Sequence, residues 1–249
     1  MNAVILAAGY AMRMMPISKY IPKPLLPVGP KRVIEYALGQ LERIDEIRRI
    51  IIITNSFYVD RFEEWFERFR GAGDWNGPVI ELLDDGTRTN EERLGAIGDI
   101  AFAICKAGIE GDLMVLGGDV IFGFSLVEFI GFQKRRKADT ITIHRLDDPA
   151  LMRRTGNVEI DGSSRVRRFV EKPESPISPY ASPPIYIFKH ETGALIHEYL
   201  ETGGIADAPG NFITWLCGRT DVYAYLFEEE RYDIGDIHSY KEADRIFSM

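Results

Sequence analysis

Short aliphatic runs alternate along this chain with stretches whose apolar positions recur every three or four residues. AVILAA (3–8) has the unbroken apolar character of a buried strand, RVIEYALGQLERI (32–44) the spacing of an amphipathic helix, and IRRIIIIT (47–54) the density of a second buried strand. FYVDRFEEWFERFR (57–70) predicts a helix with Phe62, Trp65, Phe66 and Phe69 on its core-facing stripe, followed by a strand in VIELL (79–83) and a helix in AIGDIAFAICKAGI (96–109). DLMVLGGD (112–119) predicts a strand ending in a Gly-Gly turn, FSLVEFIGFQKRR (124–136) a helix, and DTITIHRL (139–146) a strand. Strands this rich in Ile, Val and Leu, separated by helices, need cover on both faces. The expected fold class is therefore α/β, a Rossmann-like mixed, mostly parallel sheet with helices on both faces.

From Gly156 the texture changes. GNVEIDGSSRVRRFVEKP (156–173) predicts a hairpin around Asp161-Gly162, and YASPPIYIF (180–188) one more strand; the Ser/Pro-rich PESPISPYASPP (173–184) is a loop and a lid candidate. Helices in LIHEYLE (195–201) and FITWLCG (212–218), a strand in VYAYLF (222–227) and a helix in SYKEADRIF (239–247) close the chain. This adds a small β region to the α/β body. With no internal repeat and no clean linker, residues 1–249 read as a single domain with halves of about 1–135 and 136–249.

Composition narrows the class. A 45% hydrophobic content in 249 residues fills a substantial core, and no apolar run approaches the roughly 20 residues of a membrane-spanning helix. The start MNAVILAAG has no basic flank and reads as a strand, not a leader. Cys105 and Cys217, both in apolar helical segments, are expected to be core thiols in a reducing compartment, so a cytoplasmic protein is expected. The net charge of −8 argues against nucleic acid as a partner. Yet the chain opens with Arg13, Lys19, Lys23, Lys31 and Arg32 and carries no acidic residue before Glu35. A basic island on an acidic body suggests a site for a small anion.

In open α/β sheets ligands gather beyond the carboxyl ends of the strands, which points to the loop after the first strand. There Gly9 permits close backbone approach, Arg13, Lys19 and Lys23 supply positive charge, and Pro22, Pro24 and Pro27 stiffen the segment that bears Lys23. The spacing is neither that of a P-loop nor G-x-G-x-x-G. Asp119 ends an apolar strand and aims a carboxylate at the same edge. Its competing role is a turn or helix cap. His144, His190, His197 and His238 lack metal spacing, and Trp65, Trp75 and Trp215 read as core or rim packing.

LAAGYAMRMMPISKYIPKPLLPV (6–28) resembles the L-A-A-G-x-G-T-R…P-K-P-L-L-P signature of nucleotidyltransferases that activate sugar 1-phosphates. LGAIGDI (94–100), VLGGD (115–119), GNVEID (156–161) with RFVEKP (168–173), and YDIGDIHSYKEA (232–243) resemble the family's later elements, in family order and over nearly the whole chain. The resemblance implies a single catalytic domain with a nucleotide-binding half of about 1–135 and a sugar-binding half of about 136–249. It implies that a sugar 1-phosphate attacks the α-phosphorus of a nucleoside triphosphate and expels pyrophosphate, with Mg2+ as cofactor. By this resemblance Asp119 and Asp233 are the metal ligands, Arg13 holds the leaving pyrophosphate and Lys23 bridges the two reacting phosphates. Leu6, Ala8, Gly9 and Gly95 line base and ribose, Gly156 and Glu171 contact the sugar, and Lys172 pairs with its phosphate. Asp236 stands where the family has Thr and competes with Asp233 for the metal.

Three departures bear on this. Ala11 replaces a glycine that tolerates positive φ, so the loop takes another path or binds phosphate less well. Pro183-Pro184 removes an N–H beside the sugar-side strand, and Arg88–Arg93 (RTNEER) is inserted where relatives read the base. A non-sugar phosphate acceptor such as phosphocholine, and a non-catalytic nucleotide-sugar sensor, are the competing readings; homo-oligomerisation stays open. Ending soon after its last motif, the sequence is expected to be a minimal catalytic core without the appended left-handed β-helix of some relatives.

Overall fold

The computed structural model describes residues 1–73 and 75–249. In chain order its elements are β1 (Asn2–Leu6), β2 (Pro27–Val28), β3 (Lys31–Arg32), α1 (Val33–Leu41), β4 (Arg49–Thr54), α2 (Val59–Gly71) and β5 (Val79–Asp84). Then come α3 (Gly95–Lys106), β6 (Leu113–Gly117), β7 (Val120–Phe122), α4 (Leu126–Arg136), β8 (Asp139–Arg145), α5 (Pro149–Met152), β9 (Gly156–Ile160) and β10 (Val166–Glu171). The last are β11 (Tyr180–Ser182), β12 (Ile185–Phe188), α6 (Thr192–Glu201), α7 (Pro209–Leu216), β13 (Val222–Leu226), β14 (Arg231–Asp233) and α8 (Ile237–Phe247). They fall into two compact units, one of residues 1–93, 116–126 and 229–249, the other of 94–115 and 127–228. No helix among the described residues is long and apolar enough to cross a membrane.

In the first unit β1, β4 and β5 run parallel, with Ala3 to Leu6 opposite Ile50 to Ile53 and Arg49 to Thr54 opposite Val79 to Asp84. The aliphatic runs predicted to be buried strands are buried, which is what makes this register unambiguous. Helix α1 buries Val33, Ile34, Ala37, Leu38 and Leu41, and Glu35 accepts the Arg32 N–H at 2.9 Å to start it. Two short antiparallel pairs complete the unit: β2 with β3, and β7 with β14. Beneath the second pair lies a cluster of Met14, Leu26, Val28, Val33, Ile121, Ile234 and Ala243.

The second unit is built on β8, flanked antiparallel by β11 and β12 and parallel by β13, with β9 joining β11 and β10 joining β9. The β9–β10 hairpin turns at Asp161 as expected. The expected single strand over 180–188 is two, because Pro183 and Pro184 lack the N–H groups to continue the ladder. The Ser/Pro segment is tied down: the buried Asn157 carboxamide donates to Ser178 O (3.1 Å) and Tyr180 O (2.6 Å) and accepts from the Ser178 N–H (3.2 Å). A lid with these bonds does not swing freely.

Cys105 departs from the expected core position. It is exposed, one step beyond the α3 face filled by Ile97, Ile100 and Ala103, whereas Cys217 is half-buried and burial pushes its thiol up to about 11. Of the α2 stripe, Phe62 and Trp65 are buried and Phe66 and Phe69 are only partly so.

Gly118 joins β6 to Asp119 and donates its N–H to Leu6 O at 2.9 Å. A Cβ there would sit 2.6 Å from that oxygen and 3.1 Å from Pro24 Cγ. Gly118→Ala is expected to destabilise the fold by about 2 kcal/mol, read as a lower urea midpoint. An unchanged midpoint would show that the β6 exit is not closely packed.

Candidate active site

The first unit gathers its charged groups by backbone geometry. Strand β1 delivers Leu6 and Ala7 to a cavity of ≈ 100 Å³, which Gly9, Ala11, Lys23, Pro24 and Asp119 also line. The loop after β1 is held from below: Asn55 Nδ2 donates to Ala8 O at 2.7 Å, and the Tyr58 hydroxyl donates to Ser18 O at 2.5 Å. Burial, and then the neighbouring Tyr10, push the Tyr58 phenol up to about 12, which keeps it a donor. Position Cβ at Gly9 meets nothing within 4 Å, so this stretch of backbone stays open.

Ala11 is accommodated at positive φ. It adopts φ 50, ψ 41, the left-handed conformation a glycine takes at no cost, and its carbonyl accepts the Met14 N–H at 2.8 Å. The penalty for alanine, roughly 1–2 kcal/mol, is offset by burying Met14 in the cluster below. The same 3₁₀ turn that sends Met14 inward leaves Arg13 exposed.

Lys23 heads a third 3₁₀ turn between the buried Pro22 and Pro24, and the Arg32 guanidinium donates to Leu25 O within it. Its Nζ lies 3.2 Å from Asp119 Oδ2, the two side chains being 12% and 35% exposed. Asp233 arrives from the far end of the sequence. The β7–β14 ladder sets Asp233 opposite Val120, and the Ile234 N–H donates to Asp119 O at 2.9 Å. The two carboxylates are thus neighbours. The Asp233 carboxyl is pushed above the ordinary carboxylate range, first by desolvation and then by the charge on Asp119, while Arg231, Lys23 and Arg13 pull it back.

Asp236, the competing carboxylate, is used elsewhere: its side chain caps α8 by accepting the His238 and Ser239 N–H groups, each at 3.0 Å. Among the described residues no group of three His, Cys, Asp or Glu side chains could hold a metal ion. A pair of carboxylates beside a phosphate-sized cavity is instead a hard-oxygen set suited to Mg2+, which keeps most of its shell as water and phosphate oxygen.

The second unit assembles the other candidates. Glu171 pairs with Gly156 across the β9–β10 ladder, and the Lys172 N–H donates to Thr155 O at 3.2 Å with Lys172 at φ 46. The Glu171 side chain is 15% exposed, packed against the α-carbons of Gly156 and Gly210, with exposed Lys172 Nζ 3.7 Å away. Burial raises the Glu171 carboxyl above its ordinary range, and Lys172 partly offsets this. Gly95 opens α3 at φ +78 with its bare face against the backbone of Ala206 and Asp207, and Ile97 N–H donates to Ala206 O at 2.9 Å.

A family model described as nucleotidyl transferase matches residues 2–248. The chain belongs to this family. Among its relatives, the bifunctional protein GlmU of Methanococcus aeolicus is 27% identical over 203 residues, 81% of this chain and 42% of the relative. Mannose-1-phosphate guanylyltransferase of Mycobacterium tuberculosis is 31% identical over 189 residues, 76% of this chain and 48% of the relative. The chain thus spans a little under half the length of these curated relatives. Among solved structures, UDP-glucose pyrophosphorylase complexed with UDP-glucose has a TM-score of 0.82 at 19% identity, covering 99% of this chain and 97% of that one. UTP-bound UGPase from Acinetobacter baumannii has 0.77 at 21%, covering 99% and 92%. At such identities the likeness is one of fold, and it bears out the α/β expectation.

The candidate site also rests on residues that the sequence did not single out. Asn55 and Tyr58 anchor the loop, Gly118 admits Pro24, and Gly210 admits Glu171. Arg231 is a further such residue: β14 places it two residues before Asp233 and hence on the same face of the strand.

The Glu171 shift has a sign that can be tested. A carboxyl whose folded pKa exceeds its unfolded value loses stability as pH rises from the unfolded value through the folded one. Glu171→Gln removes the buried charge, so it is expected to be more stable than the parent at pH 7, with the two converging near pH 4. Urea midpoints at both pH values check this, and an equal difference at both would contradict it.

Proposed function

We propose that the chain is a divalent-metal-dependent sugar-1-phosphate nucleotidyltransferase. The observation that carries the reading is the β7–β14 ladder, which sets Asp233 beside Asp119, while Asp119 and Lys23, 3.2 Å apart, line a cavity together with the loop after β1. Family membership and relatives named for mannose-1-phosphate guanylyl transfer support it.

The chemistry is electrostatic, since one anion must attack another. An oxygen of the sugar phosphate forms a bond to the α-phosphorus of the nucleoside triphosphate, the bond to the β-phosphate oxygen breaks, and pyrophosphate leaves with that electron pair. Asp119 and Asp233 would hold Mg2+, which supplies positive charge to the triphosphate. Lys23 neutralises the reacting phosphates, and Arg13, exposed on its turn, takes the leaving pyrophosphate. The open backbone of Leu6 and Gly9 admits base and ribose, as do Ala8 and Gly95 in this reading. Glu171 accepts from sugar hydroxyls, Gly156 lets the sugar approach, and Lys172 pairs with the sugar's phosphate. This reading places the reaction in the cytoplasm, in keeping with the two free thiols Cys105 and Cys217.

A second reading keeps the reaction and exchanges the acceptor for a non-sugar phosphate. The break at Pro183-Pro184 between β11 and β12 favours it, because it removes main-chain donors from the sugar side. One screen separates these: pyrophosphate release with Mg2+, four nucleoside triphosphates and about a dozen phosphorylated acceptors, phosphocholine included. A sugar 1-phosphate is expected to be the acceptor, and Asp119→Asn to lower kcat by about 10²–10³-fold. Turnover only with phosphocholine would favour the second reading. Nucleotide-sugar binding without turnover under any metal would overturn both.

A further inference from the structure

Charge balance at the two carboxylates points to a residue outside the roles assigned so far. Arg231 is two residues before Asp233 in β14, and its side chain is only 16% exposed while that of Asp233 is 54% exposed. Its Nη1 lies 3.7 Å from Asp233 Oδ2, and its charge acts on both Asp233 and Asp119. Its Nε is buried and has no hydrogen-bond partner among the described residues. A guanidinium held under such conditions is kept for its charge, because the carboxylate it faces is within ion-pair reach yet beyond ordinary hydrogen-bond distance.

Within ion-pair distance the charges balance: Asp119 and Asp233 contribute two negative ones, Lys23 at 3.2 Å and Arg231 at 3.7 Å contribute two positive ones, and the charge of Arg13 also acts on Asp233. Phosphate ligands entering the cavity can draw Lys23, which lines it, and the exposed Arg13 toward themselves, whereas Arg231 is not among the residues that line it. We propose that Arg231 is the resident counter-ion of Asp233, a positioning residue that suppresses binding of a free divalent cation and so ties metal entry to arrival of the nucleotide's phosphates. This rests on the reading of Asp119 and Asp233 as metal ligands.

The test is Mn2+ titration, followed by electron paramagnetic resonance, of the parent protein, Arg231→Met, Arg231→Gln and Arg231→Lys, each with and without a non-hydrolysable nucleoside triphosphate. Without nucleotide, the Met and Gln variants are expected to bind Mn2+ about tenfold more tightly than the parent, and the Lys variant to match the parent. The gain should shrink in high salt, which a merely structural effect would not do. If either neutral variant folds and binds Mn2+ no more tightly than the parent, the counter-ion role is overturned while the metal site stands. If the parent binds no Mn2+ even with nucleotide, the metal reading fails and the counter-ion role falls with it.

Discussion

Two like charges are held side by side by a backbone ladder. Asp119 and Asp233 lie 114 positions apart in sequence, and the pairing of Val120–Phe122 with Arg231–Asp233, extended by the hydrogen bond from Ile234 N–H to Asp119 O, makes them neighbours. Their repulsion would loosen so short a ribbon if nothing opposed it. Lys23 and Arg231 oppose it from two sides, and Ile121 and Ile234, on the same two segments, are buried in the cluster with Met14 and Leu26. Hydrophobic burial holds the ladder, and the ladder holds the charges.

The same cluster explains how the loop after β1 holds an alanine in a left-handed conformation. Met14 is buried, so the turn from Ala11 to Met14 is fixed at both ends, and Ala11 accepts a left-handed backbone. Asn55 and Tyr58, from the end of β4 and the start of α2, pin Ala8 and Ser18. Rigidity of this kind matters for phosphate chemistry, where fixed donors and cations need little reorganisation as charge moves. Glu171 follows a similar logic in the other unit: Gly210 lets the carboxylate into a buried place where its charge is costly, a state that costs stability and suits a binding group.

Much of the fold was legible because buried parallel strands leave an unmistakable aliphatic signature, as in AVILAA and IRRIIIIT. The two- and three-residue strands β2, β3, β7 and β14 were not, since periodicity needs more residues than they have. Yet one of those pairs brings the two candidate carboxylates together. Cys105 was misjudged by a single step around α3, where composition alone cannot fix the edge of a buried arc. The Ser/Pro segment looked free because nothing local restrains it, and its restraint comes from Asn157, distant in sequence. Of the candidate residues, Arg13, Lys23, Asp119 and Asp233 could be chosen by chemistry and resemblance, and helix capping by Asp236 removed its rival. Arg231 became visible only when the ladder showed which way its strand faced.

The central claim is that both carboxylates serve one ion beneath the nucleotide's phosphates. The most direct measurement is a crystal structure of the protein with Mg2+ and a nucleoside triphosphate that cannot be cleaved between its α- and β-phosphates. The account predicts a single ion with oxygen ligands from Asp119, from Asp233 and from the triphosphate. An ion that touches neither carboxylate, or triphosphate bound away from the loop that follows β1, would contradict it.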